Sequence, residues 1–332
     1  MQLFRHYEHL PEDCRGGVVA VGNFDGLHRG HRALIGRAGR LAGEQNEPLA
    51  VLTFEPHPRQ VFLPDGPPFR ITPFRSKARL MSTLGVDVLL ALRFSRDLQN
   101  KPAETFVRDV LRDGLGARHV VVGYDFAFGH KRSGNVETLR QLGPEMGFDV
   151  SVLEPVTHGD DVCSSSIIRV NLETGRARRA AELMGHWWEV EGRVMGGERR
   201  GRQLGFPTAN LRLHRDALRP ALGVYAVHFG LERDGGTEWH KGVANLGQRP
   251  TFGGIGVNLE VHIFDFQADI YGQHARVAFV EHLRPERKFN GLDEIKAQIA
   301  RDSAQAREVL ANPQNALDVF SSVPASFPAR EL

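Results

Sequence analysis

The chain has 332 residues, 41% of them hydrophobic and 25% charged, with 42 lysines and arginines against 40 acidic residues. That length accommodates two domains with cores of their own, and the composition excludes a collagen, a coiled coil or wholesale disorder. A net charge of +2, with no basic helix or aromatic platform, argues against a nucleic-acid-coating protein.

Two cysteines, Cys14 and Cys163, are too few for a disulfide framework or a thiolate zinc site. The N-terminal stretch carries acids and a proline and lacks an apolar core segment, so no signal peptide is expected. No run approaches the ~20 apolar residues of a membrane span, and the expected compartment is the cytoplasm.

Through the first half, apolar runs alternate with helix-period segments. Candidate strands are 18–22, 49–54, 86–92, 119–125 and 148–154, and helices are expected to begin near His31, Phe74, Pro102 and Val136. Continuous apolar strands separated by helices predict a doubly wound parallel sheet, whose ligands bind at the carboxyl ends of the strands. "NFDGLHRGH" follows the first strand, "EPHPRQVF" the second and "FAFGHKRSGN" the fourth; a short linker after the fifth leads to "SSSIIR" at 164–169. All four stretches are expected to converge on one crevice.

The first of them sets Gly22, Gly26 and Gly30 beside His28 and His31 in a strand-to-helix turn. Glycines there let the backbone approach a phosphate, and the helix N-terminus supplies N–H donors and a positive field. Neither G-x-x-x-x-G-K-[ST] nor G-x-G-x-x-G fits. Imidazole donors would strengthen as charge builds on a leaving pyrophosphate, which suits nucleotidyl transfer. A phosphate nucleophile is already ionised, so catalysis would rest on positioning and charge. On the residues alone, a two-histidine metal site and ordinary surface histidines are the other readings; no third ligand is evident nearby.

From about residue 186 the apolar runs alternate with polar residues, as in "GVYAVHF" (223–229), "NLEVHIFDF" (258–266) and "ARVAFVEHL" (275–283). This predicts antiparallel strands in a small barrel or sandwich, then a helix over 292–310. The proline-bearing tail from Asn312 is expected to be loosely attached.

"GGERRGRQLGFPTANL" (196–211) combines Gly196, Gly197, Gly201 and Gly205 with Arg199, Arg200 and Arg202. Such a loop can fold its amides over phosphates. Thr208 and Asn210 would share one side of an extended segment, where hard Mg2+ takes such oxygens with nucleotide phosphates. A glycine-rich hairpin with a solvated charge patch is the alternative.

"GNFDGLHRGH" resembles the G-x-F-D-G-x-H-x-G-H signature of prokaryotic FAD synthetases, within the H-x-G-H nucleotidyltransferases. "FEPHPRQVF", "GYDFAFGHKRSGN" and "SSSIIR" resemble that family's other motifs, with Ser166 where threonine is usual. The resemblance implies that His28 and His31 hold ATP phosphates with Asp25 near the reacting groups, and with Gly22, Phe24 and Gly30 in the turn. It implies that Phe54, His57, Asp125, Phe126 and Phe128 belong to the FMN and adenylylation pocket, and that Ser164, Ser165 and Arg169 bind the triphosphate. Core packing for the phenylalanines and helix capping for the serines are the plain readings beside these.

"GERRGRQLGFPTAN" is similar to the riboflavin kinase signature, which implies a six-stranded antiparallel β-barrel with a C-terminal helix. In that barrel Gly197, Gly201, Arg202 and Gly205 would bind ATP, and Thr208 and Asn210 the metal. Glu260 matches the family's catalytic glutamate; its plain reading is a strand carboxylate facing solvent. A free alcohol is too weakly acidic to ionise near pH 7, so its phosphorylation calls for a carboxylate base.

Together the motifs resemble bifunctional bacterial riboflavin kinase/FAD synthetases. The implied architecture is a Rossmann-like adenylyltransferase domain over 1–184, a kinase domain over 185–311 and a tail over 312–332. The implied cofactor is Mg2+, with ATP as co-substrate and riboflavin, FMN and FAD as substrate and products. Another H-x-G-H transferase and an inactive flavin-binding regulator are the competing expectations.

Overall fold

The computed structural model describes residues 1–196, 205–234, 236–251 and 254–320, side chains at 249–256 aside. Contacts divide the chain into two units. One comprises Met1–Pro67 and Phe74–Cys163; the other comprises Pro68–Pro73 and the described residues from Ser164 onward.

In the first unit, strands β1 (Gln2–Phe4), β2 (Val18–Val21), β3 (Leu49–Glu55), β4 (Val88–Arg93), β5 (His119–Gly123) and β8 (Asp149–Leu153) form a parallel sheet. The short ribbon β6 (Ala127–Phe128) and β7 (Gly134–Asn135) intervenes in sequence. The order is β1-β4-β3-β2-β5-β8. Strand alternation sends Val18 and Ala20 to one face, against Leu34, Ile35 and Ala38 of helix α1 (Arg29–Gln45). Val19 and Val21 face the other way, against Phe106, Val107, Val110 and Leu111. Both faces are covered, which is why these strands read as unbroken apolar runs.

Helices α2 (Pro58–Phe62), α3 (Phe74–Ser82), α4 (Arg96–Asn100), α5 (Ala103–Phe106) and α6 (Val136–Glu145) fill the connections, and α5 runs on into a π-helical stretch, Val107–Gly114. The strand order proceeds outward from β2 through β3 on one side and through β5 on the other. The topological switch point, where doubly wound sheets open a crevice, therefore lies between the carboxyl ends of β2 and β5.

A small hairpin, β9 (Thr157–His158) and β10 (Asp161–Val162), closes the first unit. The second unit begins with α7 (Ser165–Glu173) and α8 (Ala177–Met184). Six antiparallel strands follow: β11 (Trp188–Arg193), β12 (Ala209–Arg212), β13 (Gly223–Arg233), β14 (Gly236–Thr251), β15 (Gly254–Ile263) and β16 (His274–Arg284). They pair in the order β11-β16-β13-β14-β15-β12. The Met195 amide donates to the Asn210 carbonyl at 2.9 Å, so the segment after β11 meets β12 and brings the two edges together as a barrel. Helix α9 (Leu292–Ala311) packs Ala306 and Leu310 into the core that holds Val224, Val243 and Val280.

Of the tail expected to be loosely attached, residues 321–332 lie outside the described residues, and the described part, 312–320, packs on the second unit. Asn315 is buried, its carbonyl bonded to the His228 ring at 2.8 Å and its side chain accepting from Arg178. The Trp187 indole donates to Ala316 and stacks edge-on with Phe320. Three prolines and few charges over 312–332 disguise a segment whose Leu317, Val319 and Phe320 are partly buried and pack against the core of the second unit. Among the described residues no helix is long and apolar enough to cross a membrane.

Candidate active sites

The turn between β2 and α1 holds three left-handed residues in seven positions: Phe24 (φ 50°), Gly26 (φ 86°) and Leu27 (φ 39°). For non-glycine residues such backbone costs roughly 1–3 kcal/mol each and persists only where surroundings impose it. Here burial imposes it, since Phe24 and Leu27 are core residues. Gly22, its amide bonded to Leu52, has no side chain because a Cβ would press on the Phe24 ring at 3.2 Å.

The result is a buried carboxylate and a buried imidazole, Asp25 and His28, at the start of a long helix. His28 caps α1, its Nδ1 accepting from the His31 amide at 3.4 Å. An accepting Nδ1 leaves the proton of the neutral ring on Nε2. The two rings stack with centroids 3.6 Å apart, and Phe24 meets His31 edge-on at 5.2 Å. Gly30 is required by this stack: a Cβ there would lie 3.1 Å from the His28 ring and 3.3 Å from the Cys163 carbonyl.

No acid occupies the first turn of α1, while Arg29 and Arg32 do. Burial first, and then the like charge of Arg29, push the Arg32 guanidinium below its ordinary value. Cations at the positive end of a helix dipole describe a site for an anion.

Across the switch point, Asp125 is exposed just beyond β5, with Oδ1 3.3 Å from where a Gly123 Cβ would sit. Phe126 stacks on Phe128 at 5.3 Å, Phe128 meets Phe106, and Phe106 meets Phe54. The chain of rings continues through Phe94 to Phe62. Phe54 and Phe128 are buried; Phe62 is 63% exposed. Sequence reasoning quoted Phe62 within a motif without selecting it, and an apolar residue ending a strand-end motif was the available signal. His57 is the N-cap of α2, with Nδ1 accepting from Arg59 while its own amide donates to Gln60, a capping box.

The fourth motif falls in the second unit. Ser164 caps α7 by accepting from Ile167, Ser165 opens that helix, and Arg169 donates from Nε to the Phe69 carbonyl at 2.9 Å. The first unit thus gathers three of the four stretches at its strand ends.

In the barrel, β15 pairs with both β12 and β14, so Glu260 lies between Asn210 and Asn245 in the register. Leu259 and Val261 are fully buried on the opposite face. Asn258, which sequence reasoning did not select, donates from Nδ2 to Glu260 Oε1 at 3.1 Å and to Asn210 Oδ1 at 3.2 Å. Glu260 and Thr208 line a cavity of about 310 Å³ with Val224, Arg284, Phe289 and Ile295, within the usual size for a small-molecule site. Asp302, buried in the wall, accepts from Arg284 Nη2 at 2.7 Å and from Gln298 at 2.7 Å. Gly205 (φ 87°) marks the end of the glycine-rich loop; Gly197, Gly201 and Arg202, with Arg199 and Arg200, lie outside the described residues.

One helix N-terminus suited to an anion beside a switch point, and one carboxylate in a barrel cavity beside a threonine and two asparagines, fit a two-domain nucleotide-using enzyme. Known proteins agree. The family described as FAD synthetase matches residues 10–167, and that described as riboflavin kinase matches 184–310. The bifunctional riboflavin kinase/FMN adenylyltransferase of Escherichia coli strain K12 is 41% identical over 310 residues, covering 93% of this chain and 97% of that one. The Bacillus subtilis protein of the same name is 36% identical, covering 92% and 97%. A crystal structure from Streptococcus pneumoniae, titled a macrolide-efflux protein, superposes with TM-score 0.82 at 30% identity, covering 92% of this chain and 98% of that one. The chain belongs to the bifunctional riboflavin kinase/FMN adenylyltransferase family.

Proposed function

We propose that this chain makes FMN from riboflavin in its kinase domain, residues 185–311, and FAD from FMN in its adenylyltransferase domain, residues 1–184, in the cytoplasm. The observation that carries the reading is a division of chemistry between two sites. The barrel cavity holds a carboxylate where an alcohol must lose a proton; the sheet crevice holds stacked imidazoles at a helix N-terminus, where the nucleophile is already an anion.

In the barrel, the riboflavin hydroxyl attacks the γ-phosphorus of ATP, its proton passes to Glu260, and ADP leaves. Asn258 keeps the carboxylate in place. Thr208 Oγ1 and Asn210 Oδ1 would form a hard, neutral, oxygen-only set, leaving the Glu260 carboxylate to act as the base. That set fits Mg2+ shared with phosphate oxygens and waters rather than a metal held by protein alone. Held there, a magnesium ion would supply charge neutralisation on the transferring phosphoryl group.

In the crevice, an FMN phosphate oxygen attacks the α-phosphorus of ATP and pyrophosphate leaves. His28 and His31 donate to the phosphate chain, and the amides opening α1 add their field. Asp25 stands near the reacting groups. Phe54, Phe126 and Phe128, with His57 and Asp125, would form the flavin side, and the family resemblance assigns triphosphate binding to Ser164, Ser165 and Arg169 as well.

The test is purified protein with riboflavin, ATP and magnesium, the flavins separated chromatographically over time. FMN is expected first and FAD later. Glu260→Ala is expected to lower FMN formation by about 10²–10⁴-fold while FMN-to-FAD conversion is unchanged. His31→Ala is expected to lower adenylylation by about 10²–10³-fold and leave the kinase alone. Loss of both activities from either change in folded protein would overturn the two-site reading. FMN without FAD, even from supplied FMN, points to another H-x-G-H transferase; flavin binding with no conversion points to a regulator.

A further inference from the structure

Lys77 is fully buried on α3, one helical turn before Met81 on the same inward face. An aliphatic residue would fill that volume without desolvating a charge, so the ammonium contributes through what it bonds. Its Nζ donates to the Asn23 carbonyl at 2.7 Å. The same oxygen accepts from the buried Thr53 hydroxyl of β3 at 3.2 Å. Asn23 itself is an exposed residue whose carbonyl is held from inside by two elements.

The consequence is conformational. The Asn23 oxygen lies in one rigid peptide plane with the Phe24 nitrogen, so fixing that oxygen fixes the rotation that sets φ of Phe24. Phe24 is the left-handed residue, at φ 50°, that turns the chain into Asp25 and on to His28. A released plane would let Phe24 relax toward negative φ, and the next residue to move is Asp25.

We propose that Lys77 is a positioning residue for adenylyl transfer: by clamping the Asn23 carbonyl together with Thr53, it holds the β2–α1 turn in the strained form that presents Asp25 and His28. This rests on the crevice being the FMN-adenylylating site. A residue that acts on geometry rather than on ligand contacts affects turnover more than substrate binding, and a misplacement of about 1 Å can cost about 10²-fold.

The test uses the full chain; riboflavin kinase activity counts folded barrel in every sample, and far-UV circular dichroism with limited proteolysis checks that the first unit, which holds Lys77 and Thr53, is folded. Lys77→Met is expected to lower kcat for FMN adenylylation by about 10²-fold with KM for FMN and ATP little changed and the kinase intact. Thr53→Val is expected to lower kcat by a smaller factor. Because both donors serve one oxygen, the double variant is expected to lose less than the product of the two single losses.

Wild-type kcat in folded Lys77→Met, a loss confined to KM, or single losses that multiply in full would each overturn the proposal. If Lys77→Met fails to fold, Thr53→Val decides alone: a lowered kcat with KM and the kinase retained supports the clamp, and an unchanged kcat overturns it. A wild-type chain that makes no FAD from FMN refutes the site assignment instead, before any variant is considered.

Discussion

Gly30 shows how one absent atom shapes a site. The space for its Cβ is taken by the His28 ring on one side and the Cys163 carbonyl on the other, and α1 could begin with alanine on propensity alone. Gly30→Ala is therefore expected to stabilise the helix locally while pushing His28 out of its stack with His31. The check is kcat for adenylylation, expected to fall at least about tenfold, as for a displaced catalytic donor. The glycine was legible in the sequence as part of a phosphate turn. The partner it makes room for was not, because the stack depends on the His28 cap. Asn258 was illegible for a related reason: its value lies in joining Glu260 to Asn210, and that follows from the pairing of β15 with β12.

Asp302 belongs to the same scale. It is 4% exposed while Arg284 is 21% exposed, and Gln298 completes its hydrogen bonding. Asp302→Ala would leave a largely buried guanidinium without its carboxylate. With Arg284 still partly solvated, the expected loss is about 2–4 kcal/mol, somewhat under that for a fully buried pair. Denaturant unfolding followed by the barrel's tryptophans, Trp187, Trp188 and Trp239, measures it.

At the scale of elements, the sequence announced what depends on periodicity and stayed silent on what depends on docking. The five expected strands of the sheet and the helices near His31, Phe74, Pro102 and Val136 all form, because their apolar spacing alone dictates a buried face. β1, three residues long and paired with β4 at the sheet's edge, is too short to carry a pattern. The packing of 312–320 was not legible, because prolines and sparse charges describe a loop equally well whether or not it packs.

His228 links that tail to pH. Burial, the largest effect, and the charge of Lys241 depress its ring pKa, while the bond to the Asn315 carbonyl partly offsets them. His119, bonded to Ser151 in the first unit, is depressed by burial too. The unfolded rings titrate near 6.5, so below that value the unfolded chain binds more protons than the folded one. Stability is then full above about pH 6.5 and declines as pH falls toward the depressed folded values. The melting temperature is expected to drop from pH 7.5 to pH 5.5, and His228→Gln to flatten part of that slope. A slope unchanged by His228→Gln would show that the tail's histidine does not contribute.

At the scale of the molecule, the two sites differ in what they must do to their nucleophile, and that difference makes them separable. The kinase product is the transferase substrate, so a chain carrying both reactions needs only that FMN reach the second site. Under the proposed mechanisms, neither reaction draws a base, a donor or a phosphate contact from the other's machinery: Glu260 would serve the alcohol, and His28 and His31 the phosphates of ATP. A mixture of His31→Ala and Glu260→Ala chains is therefore expected to convert riboflavin to FAD, although neither variant does so alone. FMN made by the first must cross solution to the second, so FAD should appear after a lag that lengthens on dilution, whereas wild-type kinase turnover per chain should not depend on dilution. If the mixture makes FMN and, with each half-reaction intact, still makes no FAD, FMN is handed over within one chain or assembly and free diffusion is the wrong picture. If FAD forms with the expected lag, the economy of the chain lies in co-expression of two independent catalysts, and its strong sequence signals at both sites reflect two separate chemistries.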